Sequence, residues 1–160
     1  MIEVKFEIPA FVGFVPIIRT AIENIAYLFS FNDKDAYELK LAVDEICNNA
    51  IEHGSKGEDK KITIECQFDN KVATITIKDS GSPEFNVEEV LREGQKLMEE
   101  EAAKPKLDTI RRKRGLIIVQ KFVDTLDIIS NPYGTIVKMV KTVHDNNLEP
   151  HLKSSFLIHS

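Results

Sequence analysis

The sequence predicts an α+β domain, a two-layer α/β sandwich in which helices cover one face of a mixed, mostly antiparallel sheet. Three observations predict it. Residues 2–8 and 62–77 alternate apolar and polar side chains, the period of half-buried strands. Residues 15–30 and 35–53 carry apolar positions at helical spacing. Both kinds of segment share a chain of 160 residues, about the length of one domain with one core.

The elements follow in order. Ile2, Val4, Phe6 and Ile8 face one way and Glu3, Lys5 and Glu7 the other, until Pro9 ends the strand. Val15, Ile18, Ile22, Ile25, Ala26 and Phe29 form the stripe of a first helix, and Pro16 suits its first turn. Asn32 and Asp33 are cap candidates for a second helix, about Asp35 to His53, with Leu39, Val43, Ile46 and Ala50 as its apolar stripe and Gly54 as terminator. Ser55–Lys60 reads as a turn. Ile62, Ile64, Cys66 and Phe68 then share one strand face, Asp69-Asn70-Lys71 turns the chain, and Ala73, Ile75 and Ile77 share a face of the next strand.

Residues 80–114 change character. Ser80-Gly81-Ser82-Pro83 breaks the strand, Val87–Ala103 is helix-compatible but highly charged, and Arg111-Arg112-Lys113-Arg114 is a basic run. The region reads as an excursion from the core. Gly115 opens an apolar helix, Leu116–Val123, followed by a strand at 125–130, a turn at Asn131-Pro132-Tyr133-Gly134 and a last strand at Thr135–Thr142. After Val143 the tail is polar and reads as poorly ordered, although Phe156, Leu157 and Ile158 could dock.

Composition narrows the function classes. A net charge of -5 gives no support to a nucleic-acid-binding surface. No apolar stretch approaches the roughly 20 residues that span a bilayer, and no basic segment precedes an apolar run at the N-terminus. Cys47 and Cys66 lack metal-like spacing and sit in apolar patterns, as reduced core cysteines of a cytoplasmic protein do.

The chemistry concentrates on the second helix. Glu45, Asn49 and His53 are spaced i, i+4 and i+8, which places them on one narrow stripe beside the apolar face. Taken alone, that stripe also fits the polar edge of an ordinary amphipathic helix. Partly buried, such groups need partners. A hard cation such as Mg²⁺ is one, and a glutamate there could serve as general base toward a hydroxyl. Counting by two from Ile75 and Ile77 brings Asp79 onto the inner face at a strand end. It reads either as a turn residue or as an acceptor for a ligand amino group. Gly115, directly before a helix, would let a phosphate approach backbone N–H groups at the positive helix end. The basic run before it reads equally as a solvated loop.

Taken together, these segments resemble the GHKL ATPase/kinase superfamily. DEICNNAIEHG (44–54) looks like its asparagine box, KDSGSPEF (78–85) like its first glycine box and RGLIIVQKFVD (114–124) like its second. NPYGTIVKMVK (131–141) looks like its closing Gly-Thr strand. Within the superfamily the chain is most similar to the bacterial anti-sigma-factor serine/threonine kinases. That resemblance implies a Bergerat-type ATP-binding fold over 1–143, with 84–114 as the ATP lid and 144–160 as a C-terminal tail. It implies Glu45 as catalytic base, Asn49 as the Mg²⁺ ligand, and Asp79 with Thr135 as the adenine contacts. His53, Gly81, Arg111, Arg114, Gly115 and Leu116 would complete the nucleotide site. The implied activity is transfer of the ATP γ-phosphoryl to a Ser or Thr of a small anti-sigma-factor antagonist, alternating with sequestration of a sigma factor by a homodimer.

The chain departs from the family pattern at Lys113, which stands where the second glycine box usually has its first glycine. A side chain there could crowd the phosphates or add a charge to them. The alternative is a regulatory module that binds nucleotide and a sigma factor without phosphoryl transfer. A histidine-directed sensor kinase is disfavoured, because no long histidine-bearing dimerisation helix precedes the domain.

Overall fold

The computed structural model describes residues 1–54, 59–80, 92–93, 95–96, 115–131, 133–143 and 155–159. Strand β1 spans Ile2–Pro9. After a short 3₁₀ turn at Val12–Phe14, helix α1 runs Val15–Leu28 with proline in its first turn. Helix α2 runs Asp33–Asn49. Asn32 caps it: its side-chain oxygen accepts from the Asp35 backbone N–H at 2.8 Å.

Four residues join the two helices, and they turn because α1 ends in a Schellman motif. Ser30 N–H donates to Tyr27 O, Phe31 N–H donates to Ala26 O, and Ser30 takes the left-handed conformation at φ 63°. The helices then run antiparallel, tied by Arg19–Asp44 at 2.8 Å and Lys40–Glu23 at 2.6 Å.

Strands β2 (Lys61–Asp69) and β3 (Val72–Lys78) form the expected hairpin. Its two-residue turn has positive φ at both Asn70 (42°) and Lys71 (67°), the pattern whose twist matches paired strands. Helix α3 spans Gly115–Phe122, β4 Thr125–Asn131 and β5 Gly134–Thr142. The segment that holds Phe156–Ile158 contributes β6 (Ser155–His159), which pairs parallel to β4.

The sheet order is β1-β2-β3-β5-β4-β6, and every pair but the last is antiparallel. The β4–β5 hairpin is inserted so that β5 lies against β3. The core fills the space between the helices and one sheet face, with Ile22, Leu39, Ile46, Ile64, Phe68, Ile75 and Met139 fully buried. Phe68 stacks on Phe29 at 5.3 Å and meets Phe31 edge-on at 6.4 Å, which pins the α1–α2 connection to β2.

One inward position breaks the apolar pattern. Lys141 on β5 is only 4% exposed, and its ammonium lies 3.1 Å from Asp35 Oδ1 and 2.5 Å from Glu38 Oε2 on the first turns of α2. Asn32 completes the cluster by donating to Asp35 Oδ2 at 2.7 Å. Burial alone would push the lysine down. The hydrogen bonds and charges of Glu38 and Asp35 outweigh it, and the ammonium is held above the usual lysine value. A raised value in the folded state contributes stability that is complete below the ordinary lysine range and is lost as pH rises through the raised value.

Lys141→Met leaves two carboxylates facing each other without their cation. It lowers the unfolding free energy by about 3–5 kcal/mol in urea titrations at neutral pH, and Asp35→Asn with Glu38→Gln in the same chain restores part of that loss. The stability of the parent chain falls as pH climbs past the lysine range, and this alkaline loss is smaller in the Met variant.

Candidate active site

The end of α2 that points away from the Lys141 cluster carries Glu45 and Asn49, one turn apart and both half-buried. They meet the start of α3. A Cβ on Gly115 would overlap Glu45 Oε2 and come within 3.7 Å of Asn49 Nδ2, so glycine is what lets the two helices close to this distance. The chain does not leave α2 at Asn49 but continues as a π-helical turn, Ala50–Gly54. Such a turn is wider than an α-turn, and it brings His53 to the rim of the same cleft as Asn49.

The sheet supplies the other wall. Ile77 and Asp79 come from the end of β3, Thr135 and Val137 from the start of β5, and Ile128 from β4. Ile46 and Ala50 of α2 and Leu116 of α3 close the apolar part. Apolar walls with a few convergent polar groups suit a flat, partly polar ligand.

Asp79 and Thr135 are joined twice. Asp79 N–H donates to Thr135 O at 3.1 Å, and Thr135 N–H donates to Asp79 Oδ1 at 3.0 Å. Gly134, at φ 153°, takes a conformation that residues with side chains rarely adopt, and it delivers the Thr135 amide to that carboxylate. The Asp79 side chain is thereby fixed where the β3 ladder ends.

Cys47, between Glu45 and Asn49 in sequence, is buried in the core, as is Cys66 on β2. Burial, with smaller contributions from Asp44 and Cys66, pushes the Cys47 thiol far above its usual range, and burial pushes Cys66 up to about 12. Both remain protonated thiols, so neither is a nucleophile for the cleft.

Among the described residues no group of three or more His, Cys, Asp or Glu could cage a metal ion. The Asn49 amide of the cleft wall and the Glu45 carboxylate both approach Gly115, a hard-oxygen donor set with few ligands. That fits Mg²⁺, which keeps its waters and takes one or two protein oxygens together with substrate phosphates.

Of the residues singled out in the sequence, Asn49, His53, Asp79, Leu116 and Thr135 line the cleft, and Glu45 meets Gly115 beside Asn49. Gly81, Arg111, Lys113 and Arg114 lie outside the described residues, as does most of 84–114. Sequence reading missed the apolar lining: Ile46 and Ile77 sit on faces already recognised as apolar, whereas Ile128 and Val137 sit on strands whose faces were not assigned. It also missed Ser130, which stands opposite Thr135 in the β4–β5 register. Counting outward from the Asn131–Gly134 turn would have found it.

The Gly115 contact is testable. The atom that an added methyl would meet is the end of a flexible side chain, so Gly115→Ala changes stability by no more than about 1 kcal/mol. Its crystal structure shows the Glu45 carboxylate displaced from the cleft. A loss of several kcal/mol in denaturant titration would mean instead that Glu45 cannot yield.

Comparison with known proteins agrees with this geometry. Residues 8–141 match the histidine kinase-like ATPase domain family. The anti-sigma F factor of Bacillus cytotoxicus is 33% identical over 112 residues, covering 69% of this chain and 71% of the relative. The serine-protein kinase RsbW of Listeria innocua is 25% identical over 154 residues, 95% of this chain and 94% of the relative. The crystal structure of the RsbU and RsbW domains of Rv1364c from Mycobacterium tuberculosis superposes with a TM-score of 0.63. It does so over all of this chain and 35% of that one, at 12% identity, which speaks for the fold alone. A cleft built between α2, α3 and the β3–β5 end, together with the match over 8–141, establishes that the chain belongs to the histidine kinase-like ATPase domain family.

Proposed function

We propose that this chain is an anti-sigma factor and ATP-dependent serine/threonine protein kinase acting in the cytoplasm. It would bind ATP in the cleft, phosphorylate a small antagonist protein and, when not so engaged, sequester a sigma factor as a homodimer. One observation supports the reading: Asn49, which meets Gly115 together with Glu45, lines one cleft with the locked Asp79–Thr135 pair. In this reading Glu45 serves as the base, Asn49 as the phosphate-side amide and Asp79 as the adenine-side carboxylate. The names carried by the Bacillus and Listeria relatives point to the same activity. Among the described residues no helix is long and apolar enough to cross a membrane.

In this reading the adenine amino group donates to Asp79 and the base lies against Ile77, Leu116 and Val137. Bound Mg²⁺, held by Asn49 and the phosphates, would supply charge neutralisation at the triphosphate. The antagonist hydroxyl donates its proton to Glu45 as its oxygen forms a bond to the γ-phosphorus. The bond from that phosphorus to the β,γ-bridging oxygen breaks, and ADP leaves. Such a reaction asks mainly for positioning and electrostatic stabilisation from the protein. Arg111 and Arg114 are assigned to the γ-phosphate, where bidentate guanidinium contacts would do what the missing glycine of the box does elsewhere.

Lys113 favours a second reading, a module that binds nucleotide and a sigma factor without transfer. Incubation with labelled ATP and the antagonist separates the two, since only the kinase produces a labelled serine or threonine.

Removing the base costs about 10²–10⁴-fold in such reactions. Glu45→Ala therefore lowers phosphoryl transfer at least about 100-fold and leaves ATP binding intact by fluorescent-nucleotide titration. Asn49→Ala weakens binding measured with Mg²⁺ and changes binding measured in EDTA little. Transfer by Glu45→Ala at the parent rate would remove Glu45 from the mechanism.

A further inference from the structure

Thr135 is almost completely buried at the adenine end of the cleft, and its hydroxyl has a specific neighbour. Ser130 Oγ lies 3.3 Å from Thr135 Oγ1, directly across the β4–β5 ladder. The backbone of Thr135 is already committed in both directions to Asp79. What is left to Thr135 is one hydroxyl, able to donate one proton and accept others. Which of these it offers to a ligand depends on what Ser130 does.

We propose that Ser130 is a positioning residue that sets the nucleobase specificity of the cleft by donating its hydroxyl proton to Thr135 Oγ1. The Thr135 proton is then turned into the cleft. Asp79 accepts and Thr135 donates, so the wall presents an acceptor beside a donor. That pattern complements adenine, whose amino group donates and whose N1 accepts. It opposes guanine, whose O6 accepts and whose N1–H donates. Without Ser130, the Thr135 hydroxyl rotates freely and can accept as readily as donate, and the discrimination falls. This inference rests on the nucleotide reading of the cleft and extends it to the choice of base.

The test compares ATP and GTP binding by calorimetry in the full chain. Ser130→Ala weakens ATP binding roughly three- to tenfold, the loss expected for one oriented neutral hydrogen bond, and leaves GTP binding unchanged or tighter. Its melting temperature matches the parent. Ser130→Thr, which keeps the hydroxyl, restores the parent preference. In a Thr135→Ala background, Ser130→Ala has no further effect on ATP binding, because the hydroxyl through which it acts is gone. The proposal is overturned if Ser130→Ala binds ATP like the parent, if it weakens ATP and GTP equally, or if its effect persists without the Thr135 hydroxyl. A parent chain that binds neither nucleotide overturns the nucleotide reading itself, and this proposal with it.

Discussion

The packing of α2 across the central strands β3 and β5 is the constraint on which the remaining structure depends. The helix must bury Leu39, Val43 and Ile46 against the sheet while carrying Glu45 and Asn49 along the edge of the same face. Both demands can be met only if its rotation about its own axis is fixed, because a shift of one residue turns a helix by about 100°. The Lys141 cluster fixes the first turns to β5, and the Arg19 and Lys40 pairs fix the flank against α1. The chemistry-bearing end is therefore held from a distance by interactions that take no part in it.

A buried ion cluster is a weak source of net stability, since desolvation offsets much of the attraction. Its value here lies in selectivity. A helix packed in the wrong register would separate the buried Lys141 ammonium from Asp35 and Glu38, which is far more costly than a displaced isoleucine. The Gly115 contact acts on a smaller scale at the opposite end, since the absence of a Cβ leaves room for the Glu45 carboxylate.

Much of this was legible in the sequence, for identifiable reasons. The β2–β3 hairpin and β1 read directly because the apolar–polar alternation is unbroken, with one face buried in β2 and β3 and partly buried in β1. Asp79 was found by extending that alternation, and Glu45 with Asn49 by helical spacing. The π-helical turn was not legible, since Ala-Ile-Glu-His-Gly continues the α pattern and the wider turn follows from how α2 packs. The Lys141 cluster was hidden for a different reason. Its members stand 103 residues apart from Glu38 to Lys141, and a lysine on a strand reads as solvent-facing until the sheet is assembled. Ser130 was overlooked because its partner lies across a hairpin whose turn was read correctly but whose register was not followed.

The C-terminal strand has a consequence for the sheet as a polymerisable object. By pairing with β4 from Thr125 to Ile129, β6 makes β4 an interior strand, so that stretch, Ile128 included, lies between two partner strands. The sheet then ends in β1 and β6. The first alternates Glu3, Lys5 and Glu7 and stops at a proline, and the second is five residues long. Charges, proline and shortness are the usual means by which proteins keep sheet edges from recruiting other strands. The β1 edge is separated from the cleft strand β3 by β2, whereas β6 pairs directly with β4, the strand that contributes Ile128 to the cleft wall. One margin of the sheet is thereby buffered from the cleft, and the other is coupled to it through β4.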